Sequence, residues 1–212
     1  MQLAKDLYNA LSRGKQDETR ELVQGALDGG MAAAEVLNGG MLAAMGVIGE
    51  EFKEGELYLP DVLIAARAMK AGMEILQPRL VEAGVGKIGK AAVGTVKGDQ
   101  HDIGKNLVCI MFEGKGIEVM DLGTDVPPER FIEAADKEGA TIIACSSLLT
   151  TTMNEMRTVV EMFEARGLRD NVTIMVGGAP ITQAFCDEIG ADFYTTDAAS
   201  AAEVAAGVLK NG

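Results

Sequence analysis

Along residues 1–83 apolar side chains recur at helical spacing with glycines between them, which predicts helices over residues 3–11, 17–27, 31–52 and 60–81. Asp17 stands where an N-cap is expected, and Pro60 suits a first helical position because its missing N–H is no loss there. The pairs Gly29-Gly30 and Gly39-Gly40 interrupt the pattern, the second either as a break or inside a bent helix. Residues 82–90 (EAGVGKIGK) have three glycines and no period, as a linker does. Beyond it the grammar changes. Short apolar runs at 91–96, 117–122, 141–145, 172–176 and, weakly, 192–195 alternate with helical stretches. That alternation predicts parallel strands joined by right-handed crossovers, with helices on both sheet faces. The expected fold is α/β: a four-helix bundle over residues 1–88 and a doubly wound five-stranded parallel domain over 89–212. Ligands of such sheets sit beyond the carboxyl ends of the strands, where the strand order reverses.

Composition narrows the functions. The chain has 212 residues, 48% of them apolar, enough for a full core. Its 19 Lys and Arg against 32 Asp and Glu give a net charge of −13. That balance disfavours nucleic acid, whose binding is driven by cationic side chains releasing counterions, and disfavours anionic membrane surfaces equally. Cys109, Cys145 and Cys186 are odd in number and far apart, without the spacing of a zinc site, an iron–sulfur cluster or a disulfide framework, so reduced thiols and a cytoplasmic location are expected. Nowhere do about 18 uncharged apolar residues follow one another.

Just past the first expected strand comes Gly98-Asp99-Gln100-His101-Asp102-Ile103-Gly104-Lys105-Asn106, which contains the single histidine of the chain. Such a loop could simply open a helix and bind an anion at its N-terminus. It could also hold a metal, since a neutral imidazole is a good ligand and a carboxylate two residues away can hold its other nitrogen. One histidine and one carboxylate cannot fill a closed protein site of three or four ligands. A macrocycle would supply the remainder and leave one axial position to the protein. Ser146-x-Leu148 and Gly177-Gly178 fall at the ends of the third and fourth strands. Read alone, Ser146, Ser147 and Thr150 to Thr152 could cap the helix that begins near Met153, and the glycine pair could be an ordinary turn.

Together, Asp99-x-His101-x-x-Gly104, Ser146-x-Leu148 and Gly177-Gly178 resemble the signature of cobalamin-binding domains of the methionine synthase and corrinoid-protein type, which have a Rossmann- or flavodoxin-like fold. The resemblance implies a cobalamin bound base-off/His-on, with the nucleotide tail threaded into the domain. His101 is then the axial ligand to cobalt, Asp99 its partner, and Thr152 the hydroxyl that completes the relay, a position at which methionine synthase has Ser. Asp102, Ile103 and Gly104 belong to the same cofactor loop. Ser146 and Thr150 match residues that contact the buried nucleotide base, with Leu148 packing beside it, and Gly177 and Gly178 leave room for the tail. Residues 50–60 resemble the segment joining the last two helices of the family's cap domain, where Phe52 and Leu59 match residues that cover the upper corrin face. By composition alone these two read as core residues of the bundle.

The implied function is that of a corrinoid methyl carrier. Cobalt would alternate between Co(I) and methyl-Co(III), taking a methyl group from a methylated substrate through one partner methyltransferase and passing it to tetrahydrofolate or a thiol through another. A reductive activase completes the set of partners. Asp121-Leu122-Gly123-Thr124-Asp125-Val126-Pro127 and Gly177-Gly178-Ala179-Pro180 look most like the methylamine and quaternary-amine group. Methanol and methoxylated aromatics are the other substrates of this layout. The alternative is a cobalamin-binding sensor, but relatives of that kind have a Trp-containing cap motif and a DNA-binding domain, and this chain has no Trp and the wrong charge. A mutase subunit would need a larger upper pocket. A phosphorylation receiver domain would place an Asp after the third strand, where Cys145-Ser146 stands.

Overall fold

The computed structural model describes residues 2–211. They form two compact units, one up to Gly86 and one from Lys87 onward. The first unit is helical, with α1 (Gln2–Ser12), α2 (Gln16–Asp28), α3 (Ala33–Glu35), a π-helical segment (Val36–Leu42), α4 (Ala43–Lys53) and α5 (Leu59–Glu82). Helix α3, the π segment and α4 run on from one another, because every junction residue keeps right-handed helical angles. Gly39-Gly40 therefore lies inside a continuous helical stretch whose hydrogen bonding is locally widened, the form a helix takes when it absorbs an extra residue. Gly40 faces α1 there, and a Cβ on it would sit 3.0 Å from a Leu7 methyl.

Two caps differ from the sequence expectation. Helix α2 begins at Gln16 with Lys15 as its N-cap, so Asp17 is in the first turn, where its charge still suits the helix dipole. Helix α5 begins one residue before Pro60, and the Asp61 carboxylate accepts from the Tyr58 amide at 2.8 Å. The bundle core comes from Leu7 and Leu11 of α1, Val23 of α2, Met41 of the π segment, Ile48 of α4 and Leu76 of α5, all fully buried. Gly72 lets α5 approach closely: a Cβ there would lie 2.8 Å from both Met41 Cε and Thr19 Cγ2.

The second unit alternates strand and helix: β1 (Lys90–Val96), α6 (Ile103–Gly114), β2 (Glu118–Val126), α7 (Pro128–Asp136), β3 (Ile142–Ser146), α8 (Asn154–Ala165), β4 (Thr173–Gly177), α9 (Gln183–Ile189), β5 (Phe193–Tyr194) and α10 (Ala198–Asn211). All pairings are parallel, in the order β2-β1-β3-β4-β5. This is the doubly wound flavodoxin-like order, and its switch point lies between β1 and β3. Strand period then divides the core. Ala92 and Val96, Ile143 and Cys145, Ile174 and Val176 join Phe131 of α7 and Met156, Val160 and Phe163 of α8 in one buried cluster. Helices α6 and α10 pack together elsewhere, through a run of buried alanines on α10.

Strand β2 extends four residues past the expected end at Leu122, to Val126. Its pairing with β1 slips twice, through Val93↔Asp121, Gly94↔Gly123 and Val96↔Val126, so β2 contains two extra residues. The sequence pattern is lost there because the additional residues break the two-residue alternation on which it depends.

The three thiols are all free and buried. Burial pushes the Cys145 and Cys109 thiols up to about 12, and that of Cys186 upward as well. The thiolate is the reactive form, so folded protein at pH 8 is expected to leave Cys109 and Cys145 unmodified by an aromatic disulfide reagent, while denatured protein reacts fully and fast. Rapid labelling of either cysteine in the folded state contradicts this packing.

Candidate functional site

The loops after β1, β3 and β4 meet at the carboxyl edge of the sheet, across the switch point. Asp99 lies on the first of them, with no exposed surface. A buried carboxylate must collect hydrogen-bond donors, and an ionised one offers about four acceptor positions. Its Oδ1 accepts from the His101 amide at 3.0 Å and faces His101 Nδ1 at 2.7 Å. Its Oδ2 accepts from the amides of Leu148 at 2.8 Å and Leu149 at 3.3 Å. The Thr152 hydroxyl, at 3.0 Å, and the Ser147 hydroxyl, at 3.3 Å, converge on the same oxygen. These two hydroxyls are 2.8 Å from each other, and both also reach the Leu149 carbonyl. Two hydroxyl protons thus serve three acceptors.

Burial on its own would raise the Asp99 carboxyl. The amides of His101 and Leu148, the His101 ring and the Thr152 hydroxyl outweigh it and hold the group well below the usual carboxylate range. Asp99 is accordingly an anion, which can only accept. The proton between it and a neutral His101 therefore sits on Nδ1, and Nε2 carries a free lone pair. The His101 side chain is half exposed, against none for Asp99. One ring nitrogen is committed inward and the other is available.

The first turn of α6 is tied to β2. Lys105, almost fully buried, donates to Asn106 Oδ1 at 2.6 Å and forms an ion pair with Asp121, whose carboxylate also accepts from the Gly123 amide at 2.9 Å. Asp102 is the N-cap of α6, but its side chain makes no capping bond. Ile103 beside it is exposed to 66%, and a Cβ on Gly104 would meet nothing within 4 Å. Leu148 and Leu149, whose amides hold Asp99, expose their apolar side chains. Exposed apolar groups around a fixed polar centre are the usual mark of a ligand surface.

The other expected site residues fall as follows. Ser146 ends β3 half-buried, and Thr150 is exposed in the following loop. The hydroxyls of Thr152 and Ser147 turn toward Asp99 and do not cap α8, whose N-cap is Met153. Gly177 accepts from the Ser147 amide at 3.1 Å, and a Cβ on it would come no nearer to anything than 3.9 Å, from the Thr195 carbonyl oxygen. Gly178 differs. It has φ +129°, and a Cβ there would stand 1.8 Å from the Ser147 carbonyl oxygen. Its glycine is required by the close approach of two loops, a reason distinct from space for a ligand tail. Phe52, in the last turn of α4, and Leu59, at the start of α5, are half-buried in the helical unit. Ser147 was not among the expected residues. Strand alternation gives the signal: if Ser146 faces one side of the sheet edge, Ser147 faces the other, toward Asp99.

Residues 89–205 match the B12 binding domain family, and residues 3–77 match a second family model of the same description. The chain belongs to the corrinoid, B12-binding protein family. It is 41% identical over 212 residues to a corrinoid protein of Desulfitobacterium hafniense, covering 99% of this chain and 98% of that one. It is 42% identical over 201 residues to the dimethylamine corrinoid protein of Methanosarcina barkeri, covering 94% of each. The crystal structure of the methanol:cobalamin methyltransferase complex of Methanosarcina barkeri superposes with a TM-score of 0.87 at 29% identity, covering 100% of this chain and 81% of that one. Among the described residues no helix is long and apolar enough to cross a membrane.

Two expected outcomes follow from the geometry. Gly178→Ala loses roughly 2–4 kcal/mol of stability, because it adds a clash with backbone to an unfavourable φ. Gly177→Ala loses under about 1 kcal/mol, and equal denaturation midpoints for the two variants contradict the loop contact. Because the folded Asp99 carboxyl lies below its unfolded value, the unfolded chain takes up more protons as pH falls. The stabilisation it gives is complete above the unfolded value of about 3.9 and drains away below it. Asp99→Asn should therefore lose less of its thermal midpoint between pH 5 and pH 3 than wild type does, and parallel losses contradict the assignment.

Proposed function

We propose that this corrinoid protein is the methyl-carrier subunit of a methyltransferase system, with His101 as the lower axial ligand of a cobalamin whose own nucleotide base is displaced. The observation that carries the reading is the commitment of His101 Nδ1 to Asp99 at 2.7 Å, which leaves Nε2 free on a half-exposed ring. The residues fit the group. Among the described residues no three His, Cys, Asp or Glu side chains are placed to hold a metal, and a macrocycle would need only the one nitrogen that His101 offers. A Cβ on Gly177 would meet no atom more closely than an ordinary contact at 3.9 Å, and Ile103, Leu148 and Leu149 supply an apolar rim.

The bound corrinoid supplies a cobalt able to accept and release a methyl group. The chain contributes position and proton control. Asp99 fixes the tautomer and orientation of the ring. Thr152 and Ser147 adjust how much negative charge remains on Asp99 by donating to Oδ2. Ser146, Thr150 and Leu148 are assigned to the nucleotide base, Gly177 to its tail, Asp102, Ile103 and Gly104 to the corrin edge, and Phe52 and Leu59 to its upper face. The similarity to a dimethylamine corrinoid protein favours a methylamine, or a related quaternary amine, as donor. The proposed partners are a substrate-specific methyltransferase, an acceptor methyltransferase acting on tetrahydrofolate or a thiol, and a reductive activase.

Reconstitution with hydroxocobalamin tests the assignment. Wild type is expected to give the absorption spectrum of histidine-ligated corrinoid, and His101→Ala to retain the corrinoid but lose that spectrum. An unchanged spectrum in His101→Ala refutes the ligand. Reduced, loaded protein mixed with dimethylamine and its methyltransferase is expected to become methylated. Methylation only by methanol or a methoxyaromatic system would reassign the donor.

A further inference from the structure

We propose that Thr95 and Asp125 are positioning residues for His101: from two neighbouring strands they hold the backbone of the turn that carries the imidazole, and so set where the ring is presented. This deepens the assignment of His101 as axial ligand and rests on it.

The turn from Gly98 to His101 exposes backbone groups that no helix or strand satisfies. Three are taken by these two residues. Thr95, fully buried one residue before the end of β1, donates its hydroxyl to the His101 carbonyl at 2.8 Å. Asp125 accepts from the Gly98 amide at 2.7 Å through Oδ1, and its own amide donates to the Asp99 carbonyl at 2.9 Å. Of the others, the His101 amide goes to the Asp99 side chain and the Asp99 amide to the Val96 carbonyl at 3.1 Å. A neighbouring contact, from the Thr124 hydroxyl to Gln100 Oε1 at 3.2 Å, joins the same two segments through side chains.

Asp125 is held in an unusual way. Among the described residues it is the one non-glycine with a positive φ, +54°. Such a conformation is uncommon outside glycine, although Asp is among the residues that tolerate it best, and it persists where surrounding contacts fix it. It coincides with the second slip between β2 and β1, since Gly94 pairs with Gly123 and Val96 with Val126. The extra residue of a bulge re-aims a side chain, and bulges gather beside functional sites. Here the bulge turns Asp125 so that both its carboxylate and its amide meet the turn. Without it, the end of β2 would continue the ladder and present neither.

Full-length Thr95→Val, Thr95→Ser, Asp125→Ala and Asp125→Asn test the assignment by two readouts. In corrinoid-free protein, amide exchange over residues 98–101 is expected to be about tenfold faster in Asp125→Ala and Thr95→Val than in wild type. In Asp125→Asn and Thr95→Ser, which keep the acceptor or the hydroxyl, it should stay near wild type. With saturating hydroxocobalamin, the histidine-ligated fraction is expected to fall several-fold in the first pair and to recover in the conservative pair. Unchanged exchange overturns the proposal. So does faster exchange with an unchanged ligated fraction, since the two residues would then hold the turn without governing the ring. Should Thr95→Val fail to fold, Asp125→Ala, at an exposed position, decides alone. Failure of wild type to take up corrinoid sinks the carrier reading and, with it, the role assigned to the ring. Exchange would still decide whether the two residues hold the turn.

Discussion

A carboxylate without solvent contact organises the carboxyl edge of this sheet. Asp99 cannot stay ionised at zero exposure unless donors surround it, and the chain brings them from two loops, after β1 and after β3. Hydrogen bonds to a charged group contribute about 1.5–3 kcal/mol each, more than neutral ones. Joining the two loops through Asp99 is therefore a strong constraint, and the neighbouring features adjust to it. Gly178 must be glycine because the β3 loop, once drawn toward Asp99, places the Ser147 carbonyl where a side chain would stand. Helix α8 begins without a side-chain cap because the hydroxyls that could have provided one are engaged with the carboxylate.

The sheet order explains why these loops are neighbours. In β2-β1-β3-β4-β5 the chain leaves β1 for one side of the sheet and reaches β3 on the other, so the loops after β1 and β3 diverge and leave a crevice between them. Asp99 spans that crevice and His101 stands at its mouth. A third side is closed by β2, whose bulged end reaches the turn that a regular strand would have passed by. The polar machinery belongs to the second unit alone, while Phe52 and Leu59 belong to the helical one.

Much of this was legible from residue order, and the parts that were not share a physical reason. Hydrophobic period located the strands and the bundle helices because burial imposes it residue by residue. The Asp99-x-His101 spacing announced a paired imidazole because two residues is the separation at which a tight turn returns a carboxylate to its own neighbour. Ser147, Thr95 and Asp125 could not be read in that way. Ser147 and Asp125 lie 48 and 27 residues from their partners and meet them only because particular strands adjoin and one of them bulges, while Thr95, 6 residues from His101, meets it because the turn folds back over the end of its own strand. Gly178 was legible as a glycine but not for its reason, which is the position of a carbonyl in a different loop. The π-helical segment escaped because its apolar residues keep nearly the ordinary helical period while its hydrogen bonds do not.

The pattern of satisfied and unsatisfied groups bears on how a carrier can use the site repeatedly. The hydrogen bonds that hold Asp99 and the turn come from two loops and from the ends of β1 and β2. The Nε2 lone pair is the group left pointing outward. Losing an outside partner there costs the protein none of its internal bonds, and regaining one requires no reorganisation of the turn, which is the energetic meaning of a preorganised site. A ring fixed in position by bonds that leave its outer nitrogen uninvolved is what the proposed exchangeable ligand requires.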